Sequence, residues 1–391
     1  MRLRLSLVLV HVICSVVLVA VAAGQETERP RARDLGLRPG IYEPGQFNAI
    51  TDVDGVRVGQ VTLVEGDSIR TGVTAVLPHG GNLFREKVAG AVFVGNAYGK
   101  LAGSLQVEEL GTIETPIVLT NTLSVAAGIA GVVEWTLDMP GNEGVRSVNA
   151  LVGETNDGGL NDIRARRVRP EDVRAAIDSA ASGPVAEGSV GAGTGTRAFG
   201  WKGGIGTASR QLPARDGAFV VGVLVQSNYG GVLTMGGVAV GQELARHATT
   251  PLPADDALAP EDAARGDGSC MIVVATDAPL DARDLERLAA RAVFALARTG
   301  SSYSNGSGDF AIAFSTHPGQ RVRADDPTVA SRQVLVTDAV SPLFQAALEA
   351  TEEAVYNSLL RATSVTSRVG TAEAIPVDRV RDILRRHRRV D

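Results

Sequence analysis

Gly266-Asp267-Gly268-Ser269-Cys270-Met271-Ile272-Val273-Val274-Ala275-Thr276-Asp277 joins a polar segment to an apolar, β-branched run. The run from Cys270 to Ala275 has the length and composition of a buried strand. Ser269 stands at its head, directly after a glycine. If the Gly268–Ser269 bond were broken, Ser269 would carry a hydroxyl and a free α-amine at the end of that strand. An unperturbed α-amine titrates near ~7.7–8, close to what a general base needs at neutral pH. Nucleophile and base would then belong to one residue, a known way to activate a weak hydroxyl. Gly268 has no Cβ, which leaves its carbonyl open to attack by the neighbouring hydroxyl. Taken by position alone, Ser269 also reads as a serine that closes a loop before a core strand.

Outward from this junction, the preceding stretch from His247 contains Thr249-Thr250-Pro251-Leu252-Pro253-Ala254-Asp255-Asp256. It has little periodicity, and its prolines and acids predict a mobile surface segment. Apolar and polar residues alternate around Asp54-Gly55, a hairpin pattern. Further strands are expected at Thr71 to Leu77, Gly90 to Val94, Ala218 to Val225 and Asp309 to Thr316. Helical spacing runs over Ser124 to Leu137, Glu171 to Ser182, Val238 to Arg246, Asp281 to Arg298, Pro342 to Leu360 and Val377 to Arg388. Strands come in clusters with helices between them, so the expected class is layered α+β with helices outside two packed sheets.

The chain has 391 residues, is 44% hydrophobic and carries a formal charge of −6, which argues against a nucleic-acid partner. Arg2 and Arg4 precede an apolar run from Leu5 to Ala23, and Ala20-Val21-Ala22 supplies the small residues of a signal-peptidase site. Residues 1–23 are therefore expected to be a secretory signal, with no membrane attachment of the mature protein, and 24–47 an exposed leader before one domain over 48–391. Of the two cysteines, only Cys270 follows the signal, so no internal disulfide is expected. The five histidines lie singly, without metal-ligand spacing. No G-x-S-x-G elbow occurs, and the glycines of Gly191-Ala192-Gly193-Thr194-Gly195 fit neither a dinucleotide fingerprint nor a P-loop. Neither a metal nor an organic cofactor is expected.

Three further places could carry chemistry. Ser307 and Asp309 open a strand two residues apart, so their side chains share a side and could hold a proton network. Asn228 ends the strand before the acidic segment, where its amide could donate to an oxyanion. Glu154, in Glu154-Thr155-Asn156-Asp157-Gly158, ends another strand and could pair with a cationic amine. Each has a plainer reading as a turn residue or a solvated carboxylate.

In order and spacing these pieces resemble the DmpA-type aminopeptidases: the L-aminopeptidase/D-amidase-esterases and β-peptidyl aminopeptidases. The resemblance spans Asn48 to about Ser367. It rests on Asn48-Ala49-Ile50-Thr51-Asp52-Val53-Asp54-Gly55-Val56-Arg57-Val58-Gly59, Val152-Gly153-Glu154-Thr155, Lys202-Gly203-Gly204-Ile205-Gly206-Thr207-Ala208-Ser209-Arg210, Asn228-Tyr229-Gly230, Gly268-Ser269, Ala275-Thr276-Asp277-Ala278-Pro279-Leu280 and Ser307-Gly308-Asp309-Phe310. It implies a four-layer αββα sandwich of the N-terminal-nucleophile type, cut after Gly268 into an α chain (24–268) and a β chain (269–391). Ser269 would be the nucleophile, Ser307 and Asp309 its proton network, Asn228 the oxyanion donor and Glu154 the holder of the substrate ammonium. Homo-oligomers of αβ units, acting on small peptides, amides or esters, are implied as well. Two departures stand out: Asn156 replaces an aromatic residue of some members, which bears on pocket shape, and the segment before Gly268 is long for the family. The competing readings are an acyltransferase of the ornithine-acetyltransferase type, which favours threonine over Ser269, and a secreted binding protein on the same scaffold.

Overall fold

The computed structural model describes residues 29–244 and 268–391. The expected signal at 1–23 and the acidic segment before Gly268 lie outside the described residues. Along the chain the strands are β1 (Arg57–Glu65), β2 (Ile69–Leu77), β3 (Glu86–Ala97), β4 (Leu101–Ala102), β5 (Thr112–Ile113), β6 (Ile117–Asn121) and β7 (Leu151–Thr155). They continue with β8 (Arg197–Ala198), β9 (Trp201–Lys202), β10 (Gly204–Gln211), β11 (Val220–Asn228), β12 (Ser269–Thr276), β13 (Gly308–Ser315) and β14 (Val322–Arg323). Among the described residues four helices cover the sheets: α1 (Val125–Asp138), α2 (Pro170–Asp178), α3 (Ala282–Thr299) and α4 (Ser341–Leu360).

One sheet has the order β1-β2-β6-β7-β4, the other β10-β11-β12-β13-β3-β14 with β5 beside β3. The period-2 alternation of β12 shows how they stack. Met271, Val273 and Ala275 enter a core shared with Leu119 and Leu151 of the first sheet. Cys270, Ile272 and Val274 enter a second core with Leu285 and Leu288 of α3 and Leu343 and Ala350 of α4. A third core joins Val73, Val118 and Val152 to Val132 of α1 and Val173 of α2. The layers are therefore α, β, β, α, the sandwich expected from the sequence. Helix α3 begins where the Asp281 carboxylate accepts the Asp284 N–H at 3.0 Å and ends at Gly300, whose φ is +99°.

Three expectations are corrected. Residues 29–47 are not an exposed leader. Ala32, Leu35 and Leu37 are buried in the α3–α4 core. Arg31 and Arg33 pair with Glu187 and Glu353 at 2.8 and 3.1 Å. Their charge looks solvated in sequence, but buried carboxylates meet it: Glu187, and Glu353 of α4, which together with Glu349 also binds the fully buried Arg210. The Asp54-Gly55 hairpin is also absent. Ile50–Asp52 is a short 3-10 turn, because the Asp52 carboxylate takes the Phe47 and Ala49 N–H groups and the Ser209 hydroxyl. The hairpin instead joins β1 to β2 across Gly66-Asp67-Ser68. Around Val238 to Arg246, where a helix was expected, the described residues form one turn, Val240–Glu243.

Candidate active site

The site forms where β11, β12 and β13 end on one edge of the second sheet. Strands β11 and β12 run antiparallel with Asn228 directly opposite Ser269, and β12 and β13 run parallel with Cys270 beside Asp309. Residue alternation puts Ser269 and Asn228 on the face of Met271 and Gln226, toward the other sheet. Ser269 is the first residue of its strand and is buried. Its Oγ accepts the Gly308 N–H at 3.2 Å.

Ser307 donates its hydroxyl to both oxygens of Asp309, at 2.9 and 3.0 Å. Burial pushes the Asp309 carboxyl up to about 7, against the opposing pull of the Ser307 hydroxyl and the Cys270 N–H. The pairing of β13 with β3 shifts register between Asp309 and Phe310. Such a bulge re-aims the side chain at its edge.

The Asn228 amide is held from both ends. Its Oδ1 accepts the Arg197 N–H at 2.9 Å, and its Nδ2 donates to the Asn156 carbonyl at 3.0 Å. Gly268 lies against the same residue: a Cβ there would sit 2.9 Å from the Asn228 carbonyl carbon and closer to its oxygen. Its φ of +156° is also one that L side chains rarely adopt. Glycine is thus required at the residue before Ser269, and it presses the junction onto Asn228.

Glu154 is the next-to-last residue of β7 and is 2% exposed. Its Oε1 accepts the Lys100 N–H at 3.0 Å and the Lys100 ammonium at 3.1 Å, and its Oε2 accepts the Thr122 hydroxyl. Tyr98, two residues before Lys100, donates its N–H to the Ser307 carbonyl at 3.1 Å. A continuous path of contacts therefore links Glu154 to Ser307 and Ser269, and a second links it to Asn228 through Asn156. The Asn156 side chain is exposed and turns back to accept the Gly158 N–H at 2.9 Å, so the residue meets Asn228 by its main chain.

Several neighbours of these residues were not singled out in the sequence. Lys100 and Thr122 meet Glu154 across a chain reversal, and the Gly308 and Arg197 groups are backbone, which no residue type announces. Asp157 is fully buried with its Oδ1 on Asn161 Nδ2 at 3.0 Å; burial, with a further push from Glu154, raises its carboxyl to about 7. Lys202 belongs to the glycine-rich motif quoted above, yet it is a wholly buried cation. Its Nζ donates to the Gly193 and Gly203 carbonyls, both at 2.7 Å, and burial lowers it to about 7.

Stacked sheets between helix layers, with a serine heading a central strand beside an asparagine and a serine–carboxylate pair, define a hydrolase of the N-terminal-nucleophile type. The model for peptidase family S58 matches residues 48–373, and the chain belongs to that family of serine aminopeptidases. The β-peptidyl aminopeptidase BapA of Sphingosinicella microcystinivorans is 42% identical over 389 residues, covering 94% of this chain and 95% of that protein. Its namesake from Sphingosinicella xenopeptidilytica is 38% identical over 361 residues, covering 89% of each. Among solved structures, a Burkholderia β-aminopeptidase superposes with a TM-score of 0.82 at 40% identity, covering 91% of this chain and 99% of that one. The L-aminopeptidase D-Ala-esterase/amidase of Ochrobactrum anthropi, described as a variant of the Ntn hydrolase fold, gives 0.83 at 36% identity, with coverage of 93% and 100%.

Proposed function

We propose that the chain is an exported, self-processing aminopeptidase whose nucleophile is Ser269. The observation that carries this reading is the placement of a buried serine at the head of β12, with the Gly308 N–H on its Oγ and Asn228 opposite. In the precursor, Ser269 Oγ attacks the Gly268 carbonyl carbon. The Gly268–Ser269 C–N bond breaks as the Ser269 nitrogen takes the hydroxyl proton, leaving an ester. Water then hydrolyses the ester, releasing the Gly268 carboxylate and restoring the Ser269 hydroxyl beside a free α-amine.

In the mature enzyme that amine takes the proton from Oγ as it attacks the substrate carbonyl. An N–H of the Asn228 amide donates to the developing oxyanion, a contribution of about 3 kcal/mol to barrier lowering. The proton passes to the leaving amine, and water releases the acyl group by the same steps in reverse. The Ser307–Asp309 pair suits this proton traffic, because a carboxyl poised near neutrality can hold or give up a proton at little cost. Glu154 binds the substrate's free ammonium, which restricts action to chain ends. The substrates are peptides, amides and esters with an N-terminal L-, D- or β-amino acid, and the named relatives put β-peptides first among those to try. Assembly is as a homo-oligomer of αβ units.

Denaturing electrophoresis of the purified protein should show two fragments, the smaller beginning at Ser269 by N-terminal sequencing and the larger near residue 24 after export. A Ser269→Ala variant should remain whole and inactive. An intact wild-type chain that still hydrolyses aminoacyl substrates would overturn the mechanism.

A further inference from the structure

The carboxylate assigned to the substrate's ammonium already has a cation on it. Lys100 Nζ lies 3.1 Å from Glu154 Oε1, and no other lysine or arginine pairs with that carboxylate among the described residues. Two of the three Glu154 partners are tied to the framework: the Lys100 backbone N–H at 3.0 Å, and Thr122, in the turn that follows β6. These fix the carboxylate's orientation. The third partner is not tied in this way. The Lys100 side chain is 51% exposed while that of Glu154 is 2% exposed, so the ammonium reaches the carboxylate from the solvent side. Gly99 leaves the approach open: a Cβ there would crowd Glu154 Oε1 at 3.2 Å.

We propose that Lys100 is a specificity-setting stand-in for the substrate's amine, occupying Glu154 in the empty enzyme and withdrawing to water when a substrate ammonium arrives. The inference rests on Glu154 being the ammonium subsite. Its physical basis is exchange. A buried carboxylate without a cation is costly, so the resting enzyme keeps one there. A long lysine side chain regains hydration on leaving, since its stem can remain on the surface while its head moves to water. Substrate binding then swaps one charge-assisted contact for another, and the free energy gained is only the difference between them. The affinity for free amines is thereby set below what Glu154 alone would give. An N-acylated substrate has no cation with which to displace Lys100, so it meets an occupied subsite.

The test uses the processed enzyme and its Lys100→Met, Lys100→Arg and Glu154→Gln variants. KM and kcat are measured on one aminoacyl amide, and the inhibition constant of n-butylamine is measured as a cation with no scissile bond. Lys100→Met should lower both KM and the n-butylamine inhibition constant about two- to fivefold, the size of a partly exposed ion pair. Its kcat should hold, and Lys100→Arg should restore wild-type values. A Lys100→Met variant whose KM is unchanged or raised would overturn the exchange. If Glu154→Gln leaves KM and amine inhibition untouched, Glu154 is not the ammonium subsite, and both readings fall. If it raises them while Lys100→Met does nothing, only the role given to Lys100 falls.

Discussion

Replacing Gly268 by alanine should uncouple the making of the enzyme from its working. A Cβ at this position would lie 2.9 Å from the Asn228 carbonyl carbon and 3.0 Å from Tyr229 Cα, both inside the 3.4 Å of ordinary contact, and closer still to the Asn228 oxygen. The residue also holds a φ of +156°. Relief requires the junction to move by roughly 1 Å, because the Asn228 main chain is held on both sides, by Ser227 paired with Gly204 of β10 and by the Tyr229 carbonyl accepting the Phe199 N–H at 2.8 Å. A displacement of that size in a reacting pair costs on the order of 100-fold in rate, or about 2.7 kcal/mol. Gly268→Ala should therefore self-cleave about 100-fold more slowly than wild type, followed by densitometry of the precursor band over time. Strand β12 begins one residue later, and its core contacts are untouched, so circular dichroism should not change. Once cut, residue 268 sits on the other fragment, so activity per cleaved molecule should equal that of wild type. Cleavage at the wild-type rate would show that contact with Asn228 does not set the geometry of the scissile bond. A matching loss in the cleaved enzyme would show that Gly268 serves turnover as well.

Asn228→Ala should lower kcat on the order of 10²- to 10³-fold with a smaller change in KM, measured on the fraction that has cleaved; an unchanged kcat would remove Asn228 from the oxyanion site. Asp157 gives a stability test, best made in a Ser269→Ala background that stays one chain. Its folded carboxyl titrates at about 7, above the ordinary 3.8, so between those values the native state keeps a proton that the unfolded chain releases. Its contribution therefore falls as pH rises through that window and is lost above it. Asp157→Asn should thus gain ~2 kcal/mol relative to its parent on going from about pH 5 to about pH 8, read from urea unfolding at both. Equal differences at the two pH values would refute the buried-carboxyl account.

The parts of the molecule that were legible in sequence are those whose causes are local. The run after Ser269 reads as a strand because an unbroken apolar, β-branched run of that length suits a strand buried on both faces, as β12 is. Helix α3 reads as a helix because its apolar stripe, Asp281 cap and Gly300 stop all fall within its own segment. Residues 29–47 misled for the opposite reason. Arg31 and Arg33 look solvent-bound until Glu187 and Glu353, far along the chain, are brought beneath them. The same holds on α4, where Glu349 and Glu353 occupy positions that charge alone would assign to water.

The active-site edge follows this division. Ser269, Asn228, Ser307, Asp309 and Glu154 stood out in sequence because each is a reactive side chain at or beside the end of a strand-like segment, and the structure brings the first four together at one sheet edge. What the pattern could not carry was who holds them: the Gly308 N–H on Ser269, the Arg197 N–H on Asn228, and Lys100 on Glu154. The last of these alters the chemistry most. A carboxylate at a strand end, taken alone, suggests capture of a free amine by an empty anionic pocket. If Glu154 is the ammonium subsite as proposed, an ammonium of the protein's own is already seated there, and binding becomes an exchange between two cations of similar kind. Discrimination then rests on how well the incoming amine replaces Lys100, including whether its attached carbonyl can reach Ser269 while it does so. An enzyme so arranged would tolerate variation in the amine's neighbourhood more readily than loss of its charge, and the distance from amine to carbonyl would govern its substrate range before side-chain shape.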